Sequence, residues 1–149
     1  SIGSLGRERN EAGVKNVTVK TATFTGTENG VRVKTWARPT NGFVDGVKFQ
    51  DALMVNVDNP IIIDQHYCPN NEDCPRQVSG VRIKNVRYEN IYGTSANQVA
   101  IKLNCSKKFP CSGIELDDVN LTYGQKPAVA SCANAVGKNS GNVVPDGCF

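Results

Sequence analysis

Arg32 and Lys34 stand two residues apart in the run Val31-Arg-Val-Lys34. On an extended segment the two valines point one way and the two cations the other. A guanidinium and an ammonium then lie about 7 Å apart along the strand. Such a pair can clamp the carboxylate of a sugar acid, Arg through a planar bidentate contact and Lys as a point charge. The run Val81-Arg-Ile-Lys84 repeats the pattern, so the spacing alone does not mark a site. Six cysteines offer different chemistry and fall into close pairs: Cys68 with Cys74, Cys105 with Cys111, and Cys132 with Cys148. Zinc would ask for shorter spacing and several histidines, and His66 is the only histidine. Three local disulfides in an oxidising compartment fit better. Three glycosylation acceptors point the same way: Asn16-Val-Thr18, Asn104-Cys-Ser106 and Asn120-Leu-Thr122. The expectation is a secreted protein with no cofactor and no metal.

The elements that hold these groups must be built from small aliphatic residues. Of 149 residues 39% are hydrophobic but only 7% aromatic, which is too few large rings for a thick sandwich or bundle. The longest apolar runs are three or four residues, as at Ile61-Ile-Ile63, so no membrane span is expected. No basic start leads into an apolar leader, and the chain opens with Ser-Ile-Gly-Ser, which suggests a processed or truncated product. Seventeen Lys and Arg against fourteen Asp and Glu give a net charge of +3. The basic residues are spread along the chain without interleaved aromatics, which argues against nucleic acid.

Four segments repeat: Val17-Thr-Val-Lys-Thr-Ala22, Val47-Lys-Phe-Gln-Asp-Ala52, Val81-Arg-Ile-Lys-Asn-Val86 and Ile114-Glu-Leu-Asp-Asp-Val119. Apolar residues fill positions one, three and six, and Asn16, Gly46, Gly80 and Gly113 precede the four segments. A second strand-like run follows in each of the first three units, beginning at Val31, Ile61 and Val99. Such a unit cannot bury its own apolar face, and stacking one unit on the next does so. The two-fold, β-branched alternation excludes helical repeats. The predicted fold is all-β: a right-handed parallel β-helix of about four coils, one domain over residues 1–149. Residues 123–149 lose the repeat, and a Cys132–Cys148 bridge there predicts a disulfide-closed C-terminal cap. Residues 1–13 show no comparable cap, as though the chain starts within a longer solenoid.

The runs Ser1-Ile-Gly-Ser-Leu-Gly6, Asn29-Gly-Val-Arg-Val-Lys-Thr-Trp36 and Asn59-Pro-Ile-Ile-Ile-Asp-Gln-His-Tyr67 closely resemble plant polygalacturonases, the family 28 glycoside hydrolases. The likeness continues through Cys68-Pro-Asn-Asn71, Gly93-Thr-Ser-Ala96 and Ser131-Cys-Ala-Asn134. The resemblance implies a secreted β-helix of the plant cell wall that hydrolyses the α-1,4 bonds of galacturonan, the acidic polysaccharide of pectin. The family's Arg-Ile-Lys motif, which binds the substrate carboxylate beside the scissile bond, falls on Arg32-Val33-Lys34. A family tyrosine that contacts the bound sugar falls on Tyr67, about one coil beyond Lys34. By the same alignment Arg82 and Lys84 belong to a solvated face, and His66 is a neutral surface residue beside the site.

The chain departs from the family upstream. Family members carry an Asn-Thr-Asp run, an Asp-Asp pair and a Gly-His-Gly run before the Ser-Ile-Gly-Ser segment, and this chain begins at that segment. No catalytic residue is identifiable in the chain on this reading. An inverting glycosidase needs two carboxyl groups flanking the bond, and Asp117-Asp118 align with turn positions. The missing N-terminal coils, even as a separate fragment, become an expected partner. Two alternatives remain: a non-catalytic pectin-binding or allergenic solenoid fragment, and a pectate lyase. The lyase ranks last because it needs a calcium site of clustered carboxylates, and the acidic residues here are scattered over all four coils.

Overall fold

A computed structural model describes residues 1–72, 74 and 76–149. Ten strands run through these residues: β1 (Ile2–Leu5), β2 (Val14–Thr25), β3 (Asn29–Trp36), β4 (Phe43–Val57), β5 (Asn59–Tyr67), β6 (Arg82–Ser95), β7 (Val99–Asn104), β8 (Cys111–Thr122), β9 (Val129–Ala133) and β10 (Ala135–Val144). The odd-numbered strands form one five-stranded sheet in the order β1-β3-β5-β7-β9, and the even-numbered strands form the other in the order β2-β4-β6-β8-β10. Each of β1 to β8 pairs in parallel with the strand two places on, with local register shifts in several of the pairs. The chain therefore passes from one sheet to the other and returns one layer further along, as a parallel β-helix does.

The expected aliphatic rungs are present. On the odd sheet Val31, Ile61 and Ile101 lie in one column, and Val33, Ile63 and Leu103 in the next. On the even sheet Val19, Phe49, Tyr88 and Leu116 are in register, as are Ala22, Ala52, Ile91 and Val119. All but the end members Val19 and Ala22 are buried. Each fully buried Val, Ile or Leu contributes roughly 1.5–3 kcal/mol of hydrophobic stabilisation. Phe49 and Tyr88 stack with ring centroids 5.4 Å apart, and burial pushes the Tyr88 phenol far above its ordinary range.

One unit of the repeat is displaced from its expected place. Val47 pairs with Val86, not with Val81, and Arg87 lies opposite Glu115. The third unit is therefore Val86-Arg-Tyr-Glu-Asn-Ile91, which satisfies the same apolar pattern five residues later. The cause is the long connection between β5 and β6, which holds the Cys68–Cys74 disulfide. It lengthens this coil beyond its neighbours, and a pattern that recurs after five residues cannot report the slip.

The corrected register aligns two columns of left-handed residues that bend the even strands. Asn16, Gly46, Asn85 and Gly113 have φ of 56°, 78°, 58° and 63°, and Thr21, Asp51, Asn90 and Asp118 have φ of 59°, 55°, 53° and 51°. Glycine and asparagine tolerate this region, and the bends are tied across layers by hydrogen bonds from Asn85 Nδ2 to Asp45 (3.0 Å) and Asn90 Nδ2 to Asp51 (2.8 Å). Gly80, expected in the first column, lies outside it, in the β5–β6 connection.

The loss of the repeat after residue 122 does not end the sheets. β9 and β10 each add a parallel strand, and the Cys132–Cys148 disulfide ties the chain's last residues to β9. These strands have a neighbour on one side only, so their residues are mostly exposed. Strict apolar alternation is not needed there.

Candidate functional site

The alternation of β3 places Val31, Val33 and Thr35 inside and Arg32, Lys34 and Trp36 half-buried on the outer face. The Lys34 ammonium lies 4.6 Å from the centroid of the Tyr67 ring. Tyr67 in turn meets Trp36 edge to face, with centroids 5.3 Å apart and planes at 80°. The Arg38 guanidinium covers the other ring partner, 5.0 Å from the Trp36 centroid. A cation, two rings and a second cation thus form a continuous train on one face, each contact of the kind that fixes side-chain direction. The expected proximity of Lys34 and Tyr67 follows from the ladder, because Trp36 is in register with Tyr67.

Beside this train is a cleft of about 510 Å³ lined by Glu28, Arg32, Asp64, His66, Tyr67 and the turn Cys68–Asn70. Arg32 Nε donates to Ser1 Oγ at 3.3 Å, which leaves the rest of its donor fork for a ligand. Asp64 accepts the backbone N–H of the exposed His66 at 2.8 Å. Lys34 is in register with Asp64 but forms no ion pair with it among the described residues. Two carboxylates, Glu28 and Asp64, accompany the three cations Arg32, Lys34 and Arg38, so the site carries little excess charge. Recognition here must come from placed donors and ring faces rather than from a long-range field.

A buried polar network fixes the rim of the cleft. Gln65, two residues before Tyr67, is fully buried and donates to the carbonyl of Val81 at 3.0 Å, while accepting the Ser106 N–H at 2.7 Å. Ser79 shares a hydrogen bond with Thr35 at 2.9 Å and accepts one from Ser106 through its carbonyl at 2.7 Å. These bonds pin the long β5–β6 connection to β3 and to the turn after β7, and Cys68–Cys74 and Cys105–Cys111 close the two loops concerned. Satisfied buried networks of this kind rigidify their surroundings.

The remaining candidates lie elsewhere. Arg82 and Lys84 are exposed on β6, in the even sheet. Asp117 pairs with Arg87, which Glu115 also holds at 2.8 Å, and Asp118 accepts the Asn142 N–H at 3.1 Å from its left-handed bend. Hydrogen bonding to Glu115 above all, against some desolvation, raises the Arg87 pKa above its ordinary value. Both aspartates are thus committed to the fold. Asn16 and Asn120 are exposed. Asn104 is half-buried beside Asp64 in the ladder, and the hydroxyl of its sequon residue Ser106 is engaged in the buried network. Among the described residues no three His, Cys, Asp or Glu side chains converge as a metal site would require. Sequence reasoning did not single out Trp36, Arg38, Glu28 or Asp64. Trp36 was within reach, since it has the same parity as Arg32 and Lys34 on one strand.

The sequence profile of the glycosyl hydrolases family 28 matches residues 1–141. A polygalacturonase of Prunus persica is 60% identical over 149 residues, which is 100% of this chain and 38% of the relative. Polygalacturonase-2 of Solanum lycopersicum is 50% identical over 146 residues, 97% of this chain and 32% of the relative. An exopolygalacturonase of Oenothera organensis is 45% identical over 150 residues, 99% of this chain and 41% of the relative. The chain thus spans about two fifths or less of the length of these relatives. With a parallel β-helix and a profile match over nearly its whole length, the chain belongs to the glycosyl hydrolases family 28.

Proposed function

We propose that this chain is the substrate-carboxylate-binding portion of a secreted polygalacturonase that hydrolyses the α-1,4 bonds of galacturonan in the plant cell wall. The observation that carries the reading is the common outer face of Arg32, Lys34 and Tyr67 in a chain 60% identical to a polygalacturonase. Arg32 takes a galacturonate carboxylate through two parallel N–H donors, and Lys34 adds a point charge. The Tyr67 ring offers an apolar face to the sugar and holds the ammonium in place. Hydrolysis with inversion requires a general acid and a base on water, on opposite sides of the bond. These come from upstream coils stacked against β1 and β2, in one chain or as an associated fragment. The three disulfides and the exposed sequons at Asn16 and Asn120 suit an oxidising, extracellular setting.

The test is release of reducing ends from polygalacturonate. The 149-residue chain alone is expected to give none, and a chimera in which it replaces the matching segment of the Prunus persica relative is expected to be active. Turnover by the chain alone would overturn the division of labour. Its loss in Asp64→Asn or Glu28→Gln would then place the acid–base pair in the cleft itself.

A further inference from the structure

The even sheet carries a second assembly of cations and rings, distinct from the Arg32 cleft. At the start of β4, Phe43 is 39% exposed, and its ring lies over Gly13, where even a Cβ would overlap it. It lines a depression of about 380 Å³ together with Lys15, Asn41, Asp45, Arg82 and Lys84. No residue is shared with the first cleft. The ladder explains the assembly. Lys15, Asp45 and Lys84 are in register on β2, β4 and β6, and Phe43 is in register with Arg82. The Arg82 guanidinium lies 4.7 Å from the centroid of the Phe109 ring, and the Lys108 ammonium 5.7 Å from the same centroid. Across the strands this makes a strip of ring, guanidinium and ring, bordered by three ammonium groups.

The charge here is not compensated. Among the described residues Asp45 is the only carboxylate lining the depression, and it is already engaged by Asn85 at 3.0 Å and Lys84 at 3.6 Å. Those groups hold its carboxyl below the ordinary range, the Asn85 amide most and then Lys84 and Lys15. Lys15, Arg82, Lys84 and Lys108 therefore face a single negative charge. Four cations against one carboxylate give this patch an excess of positive charge among the described residues. A solvated strand face has no need of an exposed phenyl ring beside such an excess of positive charge.

We propose that this patch is a second binding site for an acidic polysaccharide, taking uronate units on Phe43 with their carboxylates toward Arg82, Lys84 and Lys15. A polyuronate suits it because each sugar presents both an apolar C–H face and one carboxylate. Lys15 and Lys84 are two strand spacings apart, roughly 9–10 Å, so they can serve carboxylates on different units. The site gives the chain a hold on its polymer away from the cleft, and such a second attachment raises overall affinity by effective concentration. The inference rests on the reading of the chain as a pectin-directed protein.

Calorimetric titration with trigalacturonate separates the two ideas. The 149-residue chain is expected to bind two equivalents at low ionic strength. Arg82→Gln/Lys84→Gln, which changes only exposed side chains, is expected to weaken one site at least tenfold and leave one equivalent. Phe43→Ala should do the same to that site, and triglutamate should not replace the sugar. Arg32→Ala/Lys34→Ala should remove the other equivalent and spare this one. If the Arg82/Lys84 variant binds like the wild type while the Arg32/Lys34 variant loses everything, the second site does not exist and the pectin reading stands. Equal binding of triglutamate reduces the patch to unspecific charge and overturns the proposal. No binding of trigalacturonate to the wild type overturns both.

Discussion

Arg32→Ala is expected to lower hydrolysis of polygalacturonate by about 10²–10³-fold in the chimera that restores the upstream coils. Arg32 lines the cleft, and among the described residues its one side-chain partner there is a serine hydroxyl. Its planar fork is therefore free to make two charge-assisted bonds to one carboxylate, worth roughly 3–4 kcal/mol together, or that factor in rate. Arg32→Lys keeps the charge and loses the fork, so it should recover only part of the activity. Lys34→Ala should cost about tenfold or more, since it removes the point charge and also the cation that rests on Tyr67. Lys138→Ala on β10, whose side chain is 73% exposed and paired with Glu115, serves as the control and should change little. Initial rates across substrate concentrations check all four, and wild-type rates in Arg32→Ala would remove this residue from the site.

Ile63→Ala is expected to have the largest effect on stability, about 2–5 kcal/mol. Ile63 is fully buried between Val33 and Leu103, in the middle of a five-stranded sheet. Its neighbours are backbone ladders that cannot collapse into the space, so the cavity persists. The same column lies beneath the site: Val33 separates Arg32 from Lys34, and Ile63 separates Ile62 from Asp64. The variant should melt roughly 10 °C lower and bind galacturonate oligomers more weakly. Ile63→Val, which removes one methylene, should cost about 1 kcal/mol. Thermal unfolding of the three proteins decides it, and a melting point within 2–3 °C of wild type for the alanine variant would contradict the rung as a load shared across layers.

The elements of this fold are legible because a parallel ladder repeats the same local demand in every layer. Val31 and Val33 announce which face of β3 is inside, and therefore that Arg32 and Lys34 are outside together. The return of the chain after 33 residues places Tyr67 near Lys34 without any knowledge of side-chain angles. The third unit was misplaced because Val81-Arg-Ile-Lys-Asn-Val86 and Val86-Arg-Tyr-Glu-Asn-Ile91 satisfy one pattern equally. Only the length of the β5–β6 connection distinguishes them, and a loop has no periodicity to read. The strip of Phe43, Arg82 and Phe109 was illegible for the same reason. Its members come from different layers, and with β6 displaced by five residues Arg82 has no visible relation to Phe43. Glu28 enters the cleft from the bend before β3, where no alternation applies, and Asp64 from the adjacent strand β5, where alternation shows that a side chain faces outward but not what it faces.

The most direct test of the docking surface is residue-resolved nuclear magnetic resonance of the isotopically labelled 149-residue chain during titration with a galacturonate oligomer. Side-chain signals of Arg32, Lys34 and Tyr67 are expected to shift together along one saturable curve, with Trp36 following through its ring contact with Tyr67. If the oligomer saturates the protein while those four residues keep their free-state signals, the outer face of β3 is not where the polysaccharide binds, and the account fails.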